Sequence, residues 1–242
     1  MPADLRQLLQ DNAYPGRGIV LGQTADGREM VALYFIMGRS ENSRNRVFYE
    51  ENGQLRIALH DPSLVKDPSL ILYRPMLEVK GRLILTNGDQ TETIHDALTA
   101  GDTFESALRT RRHEPDAAHF TPRISGLLDQ DTGDYVLSIL KSGDRDGTTC
   151  QRHFFGYEGA AGRGHFIHTY QHDGHPLPSF RGEPVLVNIP QDAAAFAHEV
   201  WSSLNRDHRI ALCLWHKPLA GGQARLILYN RHESQEEPCK NC

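Results

Sequence analysis

Long apolar runs are missing from this chain. Its longest apolar stretches, such as Val31 to Met37, are too short to span a bilayer. Residues 2–12 carry Asp4 and Arg6 among their leucines, which the apolar core of a signal peptide would not. Cysteine is scarce, with four in 242 residues, so no disulfide framework is expected and a reducing cytoplasm is the compartment that fits. An excess of basic charge is also absent. Lys plus Arg number 26 against 31 Asp plus Glu, a formal charge of −5. That balance excludes non-specific nucleic-acid binding, which needs a basic field to release counterions, but leaves room for a local cationic pocket that holds one nucleotide. No repeat and no low-complexity linker interrupts the chain. The expectation is therefore one domain over 1–242: a core over 14–231, an N-terminal helix within 1–13 and a loose tail over 232–242.

Short alternating runs fill the remainder. Leu5, Leu8 and Leu9 recur at helical spacing before Tyr14-Pro15-Gly16 ends the helix. Strands are expected at 18–22 and 30–37 around Ala25-Asp26-Gly27, then at 46–49, 55–59, 69–73, 77–79 and 82–86. Helices follow at 91–100, ending at Gly101, and at 103–112. Strand texture returns at 124–128, 135–140, 152–157, 165–170 and 184–189. A helix over 192–205 sits behind an Asp192 cap, and strands at 210–215 and 224–229 close the pattern. Helices grouped in a few places, not alternating with strands, point to α+β with largely antiparallel sheets. The strand count exceeds what one sheet usually holds, so two packed sheets are expected, with helices over their outer faces.

Several polar segments are candidates for chemistry. Gly38-Arg39-Ser40 through Asn45-Arg46 follows an apolar strand and offers forked donors suited to a phosphate or carboxamide; a solvated loop paired with surface acids is the competing reading. In Asn87-Gly88-Asp89, a tight turn opens a helix whose free N–H groups suit an anion, unless Asp89 caps the helix itself. In Thr121-Pro122-Arg123, Arg123 opens a strand. Glu114 and Asp116 are either its ion-pair partners or an acid and base flanking a bound amide. The histidines from 165 to 175 lack metal-site spacing, because strand alternation sends His165 and His168 to opposite faces, so no metal is expected. His168 with Tyr170 could form a polar wall. Lys141 is a surface lysine by default, and Cys239-Lys240-Asn241-Cys242 reads as a dangling tail.

Taken in order, Tyr14-Pro15-Gly16-Arg17, Gly38-Arg39-Ser40 through Asn45-Arg46, Tyr73, Asn87-Gly88, Thr121-Pro122-Arg123-Ile124 and Thr169-Tyr170 resemble the IMP cyclohydrolase family first recognised in archaea. They cover roughly residues 14 to 190, and the chain looks closer to a longer bacterial branch. The resemblance implies an Ntn-hydrolase-like αββα fold without a nucleophilic N-terminus. It also implies dehydrative closure of 5-formamidoimidazole-4-carboxamide ribonucleotide to IMP, with no cofactor. By chemical type, Arg39, Arg123 and Arg17 suit the phosphate or a developing oxyanion, and Tyr73 with Glu114 or Asp116 suits proton transfer. Asn87 and Gly88, with Asp89, suit the carboxamide, and Thr169 and Tyr170 suit the base. Ser40, Asn45, Arg46, Thr121 and His168 complete the expected binding set. The implied partner is a purine nucleotide, with no nucleic acid and no membrane; a homo-oligomer is compatible. Two alternatives stay open: another nucleotide cyclohydrolase or amidohydrolase on the same scaffold, or a non-catalytic purine-nucleotide sensor.

Overall fold

The structure, a computed structural model, describes residues 1–64 and 72–232. In chain order its elements are α1 (Leu5–Asp11), β1 (Arg17–Gln23), β2 (Glu29–Met37), α2 (Glu41–Arg44), β3 (Arg46–Glu51), β4 (Gln54–Leu59), β5 (Met76–Val79), β6 (Arg82–Thr86), α3 (Gln90–Ala100) and α4 (Phe104–Arg109). They continue as β7 (Arg123–Asp129), β8 (Tyr135–Ser142), β9 (Cys150–Tyr157), β10 (Arg163–His168), β11 (Val185–Asn188), α5 (Ala193–Ser203), β12 (Arg209–Pro218) and β13 (Arg225–Asn230). Two main antiparallel sheets result. One has the order β11-β10-β1-β2-β12-β13 and the other β5-β6-β7-β8-β9, with β3 and β4 forming a separate hairpin.

β2 explains how the layers are coded. Its run is almost wholly apolar because both faces are covered, and period-two alternation sorts its side chains. Met30, Ala32, Tyr34 and Ile36 join one apolar cluster with Leu83, Leu85, Ile124 and Leu137 of the other main sheet. Val31, Leu33, Phe35 and Met37 join a second cluster with α1 and α5, through Leu5, Leu9, Phe196, Val200 and Trp201. A third cluster holds α3 and α4 on Ile84, Leu127 and Leu140 of the five-stranded sheet. At Gly126 a Cβ would come within 2.8 Å of Leu21, so glycine is what lets β7 approach β1 there. Local chemistry agrees with the packing. Asp192 caps α5 by accepting from the backbone of Ala194 and Ala195, and Thr103 and Ser106 form a capping box on α4.

The structure alters some expectations. The polar segment after β2 winds into the one-turn helix α2, because Ser40 Oγ accepts from Ser43 N at 3.1 Å. The strand expected at 165–170 ends at His168, leaving Thr169 and Tyr170 in a loop. Most of the strand expected at 69–73 lies outside the described residues, as does the cysteine-bearing tail; Leu72 and Tyr73 are not in a strand. Among the described residues no helix is long and apolar enough to cross a membrane.

Candidate functional site

Alternation places Arg17 and Tyr34 with the cluster that has members from both main sheets: Arg17 shares the parity of Ile19 and Leu21, and Tyr34 that of Met30 and Ala32. Arg46, at the start of β3, has the parity of Phe48 and is 1% exposed. Tyr73 packs against the same layer, and its hydroxyl lies 2.5 Å from that of Tyr34. Burial raises the pKa of both phenols, Tyr34 further because Tyr73 faces it, while Arg17 and Arg46 pull the other way. Burial and the charge of Arg17 push the Arg46 guanidinium below its ordinary value. Arg46 Nε donates to the Ser43 carbonyl at 2.9 Å. Its Nη2 and the Nε of Arg17 are buried with no hydrogen-bond partner among the described residues. Neither arginine makes an ion pair among the described residues. A buried N–H left unpaired costs free energy, so these donors are poised for a group that the protein does not itself provide.

The second group is closed on itself. Arg123 Nη1 donates to Asp89 at 2.6 Å and Gln90 Oε1 at 2.7 Å, and lies 3.5 Å from Glu114. Arg111 holds the other Asp89 oxygen at 2.5 Å, so Asp89 does not cap α3 with its side chain. Gly88 makes room for this, since a Cβ there would stand 2.5 Å from Arg123 Nη1. Asn87 donates to the Pro122 carbonyl at 2.9 Å and accepts from Ile124 N at 2.8 Å, which ties the turn to β7. Glu114 connects the two groups. Burial raises its carboxyl above the usual range against the pull of Arg123 and Arg17.

A third set borders both. Asp116 accepts from Thr121 N at 2.7 Å and from the Thr121 hydroxyl. The Thr121 proton being so used, Tyr170 OH is the donor in its 2.6 Å bond to Thr121 Oγ1. Burial pushes the Tyr170 phenol up to about 12. Tyr170 stacks on Tyr14, with centroids 5.9 Å apart, and the Arg39 guanidinium lies 5.2 Å from the Tyr14 ring centre. Arg39 is itself bound to Asp173 and to the Gly174 carbonyl, both at 2.8 Å. Thr169 Oγ1 accepts from Arg17 N at 3.1 Å and so fixes the strand that bears Arg17.

Three expected ligand-binding side chains are occupied by the protein. Asn45 exchanges bonds with Asp61, donating at 2.6 Å and accepting at 2.7 Å. Ser40 caps α2. His168 Nδ1 bonds the Tyr170 carbonyl at 2.8 Å, and the ring stacks on Phe166. Asp116 does not pair with Arg123 but braces Thr121. Sequence reasoning did not single out Tyr34, hidden in an apolar run, and gave no role to Tyr14, although it lies in a stretch that carries the resemblance. The available signal for Tyr34 was its hydroxyl, which a buried tyrosine must satisfy. Among the described residues no group of three or more His, Cys, Asp or Glu is placed to hold a metal ion.

Within an α+β fold, two buried guanidinium groups with no ion pair among the described residues stand beside a hydrogen-bonded pair of phenols, an arrangement chemically suited to an anion. The chain belongs to the IMP cyclohydrolase-like protein family, whose model matches residues 14–218. Over 122 residues it is 34% identical to an IMP cyclohydrolase of Methanopyrus kandleri, and over 123 residues 30% identical to one of Methanococcus aeolicus. Each alignment takes in 49% of this chain, and the chain spans 60% of the length of these relatives.

Proposed function

We propose that the protein is an IMP cyclohydrolase of purine biosynthesis, and that its 242 residues form one domain in which the two main sheets face each other between helical layers, an αββα arrangement. The observation that carries the functional reading is that, among the described residues, Arg17 and Arg46 have no ion-pair partner beside Tyr34, Tyr73 and Glu114. The substrate is 5-formamidoimidazole-4-carboxamide ribonucleotide. The carboxamide nitrogen bonds to the formyl carbon. The formyl oxygen gains one proton from each of the two nitrogens overall, and it leaves as water. Because both reacting groups sit on one ring, the protein has mainly to fix the rotamer and handle charge and protons.

Arg17 and Arg46, which make no ion pair among the described residues, serve the anionic parts of the substrate, its phosphate or the oxygen that becomes negative as the ring closes. Tyr73 delivers a proton towards the departing oxygen, and Tyr34 holds its hydroxyl in place. Glu114, whose carboxylate burial makes more basic than usual, is suited to take a proton from the attacking nitrogen. Arg123, neutralised by Asp89 and Glu114, orients Glu114 and is not itself an anion ligand. Fresh formamido substrate mixed with purified protein and no additive should show IMP absorbance rising well above the buffer rate. Closure at the buffer rate would sink this reading.

A further inference from the structure

A cleft of about 820 Å³ is lined in part by Ala118, His119 and Phe120, from the loop that also bears Asp116 and Thr121. Its walls are His119 and its neighbours, the end of β8 and the following turn from Lys141 to Arg145, and Pro176 to Ser179 with Arg181. That volume lies within the range of sites for small molecules of nucleotide size. Three of its lining residues are the cations Lys141, Arg145 and Arg181, and none makes an ion pair among the described residues. Lys141 Nζ spends one donor on the Phe180 carbonyl at 2.9 Å and keeps two. Burial and the charge of Arg181 lower its pKa, as expected for a lysine close to a second cation with no acid at hand.

One carboxylate, Asp144, lies in the wall, and its oxygens are turned into its own loop. They accept from Asp146 N, from the backbone and hydroxyl of Thr148 and from those of Thr149, at 2.6 to 3.0 Å. Those hydrogen bonds keep Asp144 ionised, and among the described residues it makes no ion pair with the three cations. His119 Nδ1 accepts from Leu177 N at 3.1 Å, which leaves Nε2–H as its donor. In a chain of formal charge −5, three cations against one carboxylate leave this concave surface with an excess of positive charge.

We propose that this cleft is a binding site for a phosphate-bearing small molecule, separate from the site at Arg17 and Arg46. Lys141 meets the phosphate as a point charge, and Arg145 and Arg181 meet it with forked donors. The inference does not depend on the cyclisation reading, because it concerns binding at a different surface and survives if no ring closure is found.

Calorimetric titration of the full chain at low ionic strength tests it. Inorganic phosphate is the first probe, followed by a purine nucleoside monophosphate and triphosphate, with sodium chloride of matched ionic strength as the control. The wild type should bind phosphate saturably. The double variant Arg145→Gln/Arg181→Gln should bind at least about tenfold more weakly, from the loss of charge-assisted hydrogen bonds. Its Tm should be unchanged, since both side chains are exposed. Arg46→Met should retain the cleft's phosphate uptake. The relative affinities of the three probes tell whether free phosphate or a nucleotide is the source. Uptake no greater than with chloride overturns the proposal, as does equal affinity in the double variant. Loss of all phosphate uptake in Arg46→Met also overturns it, because there would then be one site and not two.

Discussion

Arg123 and Arg46 are both buried arginines at the start of a strand, yet they live under opposite conditions. Arg123 meets Asp89 at 2.6 Å and Gln90 at 2.7 Å, with Glu114 at 3.5 Å, so its charge and donors are satisfied within the protein. Arg46 meets a backbone carbonyl through Nε, feels the repulsion of Arg17, and has no partner for Nη2 among the described residues. A buried charge that is paired is part of the architecture, and one that is unpaired is a cost retained for some other reason. That reason, on the reading above, is the substrate. The two arginines should therefore respond to substitution in opposite ways.

The largest effect is expected one step from the arginines, at Tyr73. Tyr73→Phe keeps the ring and removes the hydroxyl that faces Tyr34. If that hydroxyl moves a proton in ring closure, kcat should fall about 100-fold or more with little change in KM, the usual scale for losing general acid–base catalysis. A loss of less than about threefold would reduce the phenol pair to a packing contact. Arg46→Met comes next. Turnover at low substrate should drop about 100-fold as an anion ligand disappears. Tm should stay level or rise, because the substitution removes an unpaired buried charge. A clear fall in Tm would instead place Arg46 with Arg123 as a structural residue.

How far the chain alone revealed this contrast differs between fold and site. Strand and helix positions were legible because alternation and caps are local: β2, α5 and the turn at Ala25-Asp26-Gly27 all lie where the pattern puts them. Arg17, Arg39, Arg46 and Arg123 were all visible as candidates, but their ranking was not. What separates them is ion pairing over long chain distances, with Asp173 134 positions from Arg39 and Asp89 34 positions from Arg123. Tyr34 escaped notice because within an apolar run its ring looks like any core residue, and only the fold brings Tyr73 to its hydroxyl. Asn45 shows the converse error: a polar side chain in a promising loop whose hydrogen bonds are consumed by Asp61.

The histidine segment gives a further test, on stability. His168 is 9% exposed, and burial pushes its pKa down to about 4. The unfolded chain therefore binds a proton at that position below about 6.5, the ordinary histidine value, while the folded chain stays neutral until about pH 4. The native state is penalised as pH falls through that window. The loss should amount to about 3 kcal/mol at pH 4 and vanish above pH 7. Comparing urea unfolding of His168→Asn with wild type between pH 4 and 7 should show a shallower slope in the variant. Parallel curves would mean that the imidazole is solvated in the native protein.

The smallest effect, and the sharpest test of the paired arginine, is expected from Asp89→Asn. Asp89 is 55% exposed at its side chain, and it holds Arg123 and Arg111 with separate oxygens. Replacing the carboxylate with an amide keeps one acceptor and removes the charge. An ion pair with so exposed a partner is worth about 1 kcal/mol or less, so Tm should drop only slightly. Arg123 would keep Gln90 at 2.7 Å, and its remaining acid would be Glu114. With Asp89 neutral, Glu114 loses a repelling negative charge and gains more of the cation, and both changes lower its pKa. If Glu114 is the base, the acidic limb of the kcat profile should move to lower pH while kcat at its plateau changes less than about threefold. A plateau loss above about tenfold with an unmoved profile would mean that Arg123 itself must be held in place by Asp89 for turnover. In that case the division between paired and unpaired arginines would not follow function.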